Sequence, residues 1–247
     1  MTTVLAPRAA FGVIVPSTNT VVEDEYYRFR APGVSFHSGR ILIRDAALDS
    51  DAAFETFLAG LREEIAAAVA SVLTCEPDYL IMGMSAETFW GGAAGNAEFE
   101  RWIGELSGLR VSTGASACHA ALTALGARRI GVITPYQPVA DEQVRAFFTE
   151  LGYEVHAVRG LKCGSATSIA SVGPEEIRAA FAAVDGPGVD ALVQAGTNLP
   201  VIGVADELER ELGKPVIPIN AATLWHAYRA NGITDRVEGA GRLLATL

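Results

Sequence analysis

Tyr79-Leu-Ile-Met-Gly-Met-Ser-Ala-Glu-Thr-Phe89 and Ala191-Leu-Val-Gln-Ala-Gly-Thr-Asn-Leu199 decide how this chain is read. Each is an apolar run of strand length that breaks at a glycine into hydroxyl and amide residues. A fully buried parallel strand delivers a polar loop to a pocket in this form. The two runs read as the halves of one site.

Outward from them, one order of elements occurs twice. A strand over 11–15 stops at Pro16-Ser-Thr-Asn-Thr20, where Thr20 is placed to cap a helix whose first turn carries Glu23, Asp24 and Glu25. A strand over 35–43 follows, then one long amphipathic helix over 50–74 with Phe54, Phe57, Leu58, Leu61, Ile65 and Val69 on its apolar face. After the strand ending at Gly83 come a glycine-rich loop over 90–96, a helix to 106, a short strand over 109–112 and a helix over 116–125 closed by Gly126. The second half repeats this order. Its strands are expected at 129–134, 154–161, 191–194 and 215–219, its helices at 139–151, 175–184, 203–212 and 222–231. Alternation of this kind predicts an α/β fold with parallel sheets flanked by helices. We expect two pseudosymmetric Rossmann-like lobes, 1–126 and 127–247, with exchange of the terminal helices allowed, and the site in the cleft between them.

The duplication aligns Val15-Pro16-Ser17 with Thr134-Pro135-Tyr136, Met82-Gly83-Met84-Ser85 with Ala195-Gly196-Thr197-Asn198, and the stretch ending at His119 with the one ending at His226. Loops from carboxyl ends of strands are where open α/β sheets bind ligands. Those loops supply Ser17, Thr18, Asn19, Ser85, Thr88, Tyr136, Thr197 and Asn198, with backbone amides at Gly83 and Gly196. Neutral donors without Lys or Arg suit a small carboxylate, or an oxyanion that forms during reaction. No phosphate-binding glycine motif precedes a helix, so a nucleotide is not expected.

Composition narrows the classes further. The 247 residues are 50% hydrophobic, 19% charged and carry a net charge of −10, which supports a large core and repels nucleic acid and anionic membrane. The first residues lack the basic-then-apolar order of a leader, no stretch is long enough to span a bilayer, and a cytoplasmic, self-associating protein is expected. Cys75, Cys118 and Cys163 show no metal-ligand spacing and read as buried reduced thiols, so neither a disulfide framework nor a metal site is expected.

The motif Pro16-Ser-Thr-Asn-Thr-Val-Val-Glu23, the loop over 83–92, the Tyr136 turn and the Ala195-Gly196 loop resemble the maleate isomerase and arylmalonate decarboxylase branch of the aspartate/glutamate racemase superfamily. The resemblance covers essentially the whole chain. It implies cofactor-free chemistry next to a carboxylate of a small mono- or dicarboxylic acid. It also implies a carboxylate cradle at Pro16, Ser85, Tyr136 and Gly196, with Met84 where that family has a hydroxyl residue, and carboxylate binding by Asn19. Those families work through thiols at one or both strand ends, whereas here the ends carry Gly83-Met84 and Ala195-Gly196.

Proton handling therefore falls to another group. Glu87 is the leading carboxylate, because apolar neighbours such as Phe89 and Trp90 would raise its pKa. Ser85 and Tyr136 complete the catalytic set, and Ser17, Gly83, Met84, Thr197 and Asn198 join the binding set. His119 and His226 read as satisfied core residues, and Cys163 as a minor candidate on a loop. The expected activity is a cofactor-independent lyase or isomerase working through an enediolate. A carboxylate-binding accessory protein that lost catalysis and a hydrolase using Glu87 are the competing classes.

Overall fold

The computed structural model describes residues 3–44 and 47–247. Met1 and Thr2, part of the opening stretch inspected for a leader, lie outside the described residues. Two four-stranded sheets form the frame. In the first, β1 (Ala9–Pro16), β2 (Val34–Ile41), β3 (Tyr79–Met82) and β4 (Val111–Ser112) lie in the order β2-β1-β3-β4. In the second, β5 (Arg129–Thr134), β6 (Glu154–Gly160), β7 (Ala191–Gln194) and β8 (Val216–Pro218) lie in the order β6-β5-β7-β8. Every pairing is parallel. β1, β3 and β7 are buried along their whole length, and β5 is buried except at Arg129, as continuous apolar runs between helix layers must be.

Register corrects the internal alignment. Ile14 of β1 lies opposite Met82, and Ile133 of β5 opposite Gln194. The Gly83 amide donates to Ile14 O at 2.7 Å, and the Ala195 amide donates to Ile133 O at 2.9 Å. Gly83 thus answers to Ala195 and Ser85 to Thr197, one residue away from the alignment that pairs the glycines. At the third strand, Leu80 pairs with Val111 and Leu192 with Val216, which sets Gly114 against Ile219. These are the first residues of α6 (Gly114–Leu125) and α10 (Ile219–Ala230). His119 then answers to Leu224 and His226 to Ala121, so the two histidines are not equivalents.

The remaining helices are α1 (Val22–Arg28), α2 (Asp51–Ala59), α3 (Leu61–Leu73), α4 (Ala86–Phe89), α5 (Gly92–Ser107), α7 (Pro138–Glu150), α8 (Pro174–Val184), α9 (Ala205–Leu212) and α11 (Arg242–Thr246). The single helix expected over 50–74 is two, broken at Gly60. The glycine-rich stretch expected as a loop is mostly the start of α5. Its Gly95 packs against the Trp90 carbonyl so closely that a Cβ there would stand 2.0 Å from the oxygen, and Glu150 of α7 accepts the Ala93 amide. Thr20 does not cap α1: the N-cap position is Val21, and Asn19 Oδ1 accepts the amides of Val21 and Val22 at 2.9 and 3.0 Å. α10 packs on α6 and β3, and α7 on α4 and α5, so each half covers part of the other. Among the described residues, no helix is long and apolar enough to cross a membrane.

Candidate functional site

The carboxyl ends of β1, β3, β5 and β7 converge on a cavity of about 60 Å³. Pro16, Thr18 and Asn19 reach it from β1, Met84, Ser85 and Ala86 from β3, Pro135 and Tyr136 from β5, and Gly196, Thr197 and Asn198 from β7. A wider surface groove of about 440 Å³ lies between the loop after β2 and helices α2 and α3, but it holds none of these strand-end residues. The smaller cavity is where the polar groups meet.

One wall is a hydrogen-bonded set built from both halves. The Ser85 and Tyr136 hydroxyls lie 2.6 Å apart, and the Thr197 amide donates to Ser85 Oγ at 3.1 Å. Asn19 Nδ2 leans on Thr197 Oγ1 at 3.4 Å, a long bond that leaves this donor free to turn toward a ligand. Asn198 ties the turns together: its Oδ1 accepts the Thr20 amide at 3.0 Å and its Nδ2 donates to Ala166 O at 2.8 Å. Ser85 and Thr197 stand side by side because they occupy matching positions after β3 and β7.

Two anchors set this wall. Arg40 donates to Pro16 O at 3.1 Å and Asn19 O at 2.8 Å, and pairs with Glu23, pinning the first turn from behind. In the second turn, Thr134 Oγ1 accepts the Tyr136 amide at 3.0 Å and donates to Asp141. Burial lifts the Asp141 carboxyl to about 6, against the pull of that hydroxyl. Burial likewise drives the Tyr136 phenol far above its ordinary range, opposed by the Ser85 hydrogen bond. Tyr136 is therefore a protonated donor at neutral pH.

The rest of the lining is apolar: Leu48, Phe54, Phe57, Met84, Ala166 and Ile169. The Phe54 ring meets Tyr136 edge-on at 5.5 Å. Chain segments from the two halves close over this side. Ala47 and Ser165 form an antiparallel bridge, the Leu48 amide donates to Gly164 O at 3.1 Å, and Gln137 donates to Leu48 O at 2.8 Å.

Pro16, Asn19, Met84, Ser85, Tyr136, Gly196, Thr197 and Asn198 thus line the cavity, and Ser17, Gly83 and Glu87 do not. Ser17 is exposed and its hydroxyl accepts the Ile43 amide, because the residue after Pro16 points to the edge strand. The Gly83 amide is consumed in the sheet. Glu87 turns on α4 toward α3, where Arg62 stands 3.9 Å away; burial raises its carboxyl and Arg62 opposes the rise. The apolar wall was read only as helix core in Phe54 and Phe57 and was missed in Leu48 and Ile169, because nothing in a periodic helix pattern marks which buried face borders a cavity.

His119 binds the Tyr153 hydroxyl and His226 the Ser112 hydroxyl, both away from the cavity. Cys118 is fully buried, Cys163 half-buried and Cys75 exposed, so the expectation of three buried thiols fails for Cys75. No Cys, His, Asp, Glu, Lys or Arg lines the cavity among the described residues. Nor do three His, Cys, Asp or Glu side chains gather there to hold a metal. Glu25 is a further correction. Expected on a solvated first turn, it is 4% exposed, wedged between the halves.

The comparisons with known proteins agree with the fold. A model of the arylmalonate decarboxylase family matches residues 9–244. The maleate isomerase of Nocardia farcinica is 28% identical over 94% of each chain. The arylmalonate decarboxylase of Bordetella bronchiseptica is 32% identical over 66% of this chain and 69% of its own. A solved structure of the Nocardia farcinica isomerase, carrying a covalently bound succinylcysteine intermediate, superposes with a TM-score of 0.86 at 27% identity, covering 97% of this chain and 99% of that one. The likeness is to maleate isomerases and arylmalonate decarboxylases, and this chain is an enzyme of that kind.

Proposed function

The chain belongs to the arylmalonate decarboxylase family, and from that premise we propose that it decarboxylates a small substituted malonate through an enediolate, without sulfur. The observation that carries this reading is one cavity whose lining combines hydroxyl and amide donors with hydrocarbon side chains. Its volume accommodates about four water molecules, which favours a compact acid over an extended one.

The carboxylate that stays accepts from Tyr136, Ser85 and Asn19. The one that leaves faces Phe54, Phe57, Leu48 and Ile169, where an anion is poorly solvated and neutral CO2 is not. The bond from the α-carbon to the leaving carboxylate breaks, CO2 departs, and the electron pair becomes an enediolate held on the polar wall. Its α-carbon then takes a proton that comes ultimately from water. Tyr136, the one titratable side chain of the lining among the described residues, stabilises the oxyanion as a donor. Isomerisation of a short unsaturated diacid is the second reading, favoured by the likeness to maleate isomerases. It needs a nucleophile that would add to the double bond, and among the described residues no thiol borders the cavity.

The test is to incubate the protein in D2O with substituted malonates and with maleate and to follow products by NMR. CO2 release with one deuterium at the α-carbon is expected, and the product of a prochiral malonate should be close to racemic because no positioned acid serves one face. Binding of the acids without turnover would make the protein a carboxylate-binding accessory. Neither binding nor turnover across the panel would sink the reading.

A further inference from the structure

A closed circuit of hydrogen bonds between the halves ties Thr197, Ser85 and Asn19 of the cavity lining to groups outside the cavity. It starts on α1 of the first half, where Glu25 is buried. Glu25 Oε1 accepts the Ile202 amide at 3.0 Å and Oε2 accepts Asn220 Nδ2 at 2.7 Å, both from the second half. The same Asn220 nitrogen donates to Thr197 O at 2.9 Å. Thr197 in turn gives its amide to Ser85 Oγ and receives Asn19 Nδ2, and Asn19 Oδ1 accepts the Val21 and Val22 amides at the start of α1, the helix that carries Glu25.

Asn220 is the shared donor between Glu25 and Thr197. Asn220 Nδ2 serves two acceptors while its Oδ1 has no hydrogen-bond partner. Turning the amide over would face Oδ1 toward Thr197 O and take a donor from both acceptors. Glu25 receives two N–H groups, as a carboxylate does. A buried carboxylate that binds nothing in the cavity, yet joins three segments around it, calls for a role beyond helix capping.

We propose that Glu25 is a positioning residue: by holding Ile202 and Asn220 on α1, it sets where Thr197 presents its amide to Ser85 and its hydroxyl to the cavity. The proposal rests on the functional reading above only for what is bound. The position of Thr197 is a property of the chain alone.

Burial raises the Glu25 carboxyl to about 7, with the Asn220 and Ile202 hydrogen bonds opposing. The charged groups that bear on it are Arg28, which lowers it, and Asp24, which raises it, both on α1, and the neighbouring Tyr26 feels its charge. The groups packed on it from the second half, Ile202 and Asn220, carry no charge. Protonation weakens both acceptors, so the circuit is tightest above 7 and loosens as pH falls through that value.

The experiment follows the Thr197 and Ile202 amides by NMR and by hydrogen exchange, in the parent and in Glu25→Gln. In the parent, both signals shift with a midpoint near pH 7. In Glu25→Gln that midpoint disappears and exchange at Thr197 speeds at least tenfold, while amides in the middle of β1 and β5 keep their rates. A loss of packing alone would speed the strands as well. Asn220→Ala cuts the circuit at its other end and is expected to speed Thr197 exchange by a similar factor. It decides the matter if Glu25→Gln does not fold. Unchanged Thr197 exchange in a folded variant overturns the proposal. Calorimetry with methylmalonate tests the functional reading separately, since its failure leaves the amide result standing.

Discussion

The turns after β1 and β5 share one backbone frame and carry different chemistry. Pro16 and Pro135 both stop their strands at the same register position, and both line the cavity. The next residue, Ser17, points out to the edge strand, and its counterpart Tyr136 points in. The first turn is pinned by Arg40, the second by Thr134 and Asp141. A duplicated fold thus supplies a symmetric scaffold, and the side chains make the site one-sided. In the proposed decarboxylation, one acid group is held by donors while its neighbour meets hydrocarbon.

Exchanging polar groups at the two matching turns is the strongest way to break that comparison. Tyr136→Phe removes a donor to the developing oxyanion and is expected to lower kcat for a substituted malonate by about 10²-fold or more. Ser17→Ala, at the matching position, should change kcat by less than about threefold, or about 0.6 kcal/mol. Equal losses in steady-state assays would mean that the two turns contribute alike. A second test compares the central strands. Gly12 and Gly131 face cross-strand leucines at the same register, but a Cβ at Gly131 would meet the Val184 carbonyl oxygen at 2.2 Å, whereas at Gly12 it meets the flexible Leu80 side chain at 2.7 Å. Gly131→Ala should therefore cost about 1–3 kcal/mol, seen as a melting point lowered by roughly 2–4 °C per kcal/mol. Gly12→Ala should cost distinctly less, and the reverse order in calorimetry would refute the packing account. The smallest effect is expected at Glu87, which faces Arg62 rather than the cavity. Glu87→Gln should leave kcat within about threefold of the parent, a change of about 0.6 kcal/mol, and a flat pH–rate comparison between the two would sharpen the assignment of the site to neutral donors.

The corrections share a cause. The paired glycines Gly83 and Gly196 suggested one alignment, and the ladder imposes another, because equivalence in a duplicated sheet is fixed by which amide bonds which carbonyl. Residue likeness drifts by one or two places without changing the hydropathy pattern, and that drift made His119 and His226 look like a pair. Glu25 was misplaced for a similar reason. A carboxylate in the first turn of a helix is favourable in water, and only packing against Ile202 and Asn220 shows that this turn is covered by the other half.

From the sequence alone came the alternation of strands and helices, the repeat, the strand ends and most of the polar lining. These depend on local hydropathy period, on glycine and proline, and on the rule that polar loops follow buried strands. The tertiary structure alone decided which residue of each loop turns inward, what covers the cavity, and which distant groups hold Thr197 in place. Those depend on register and on contacts between residues nearly two hundred positions apart, such as Glu25 and Asn220, and no local pattern encodes a distance of that kind.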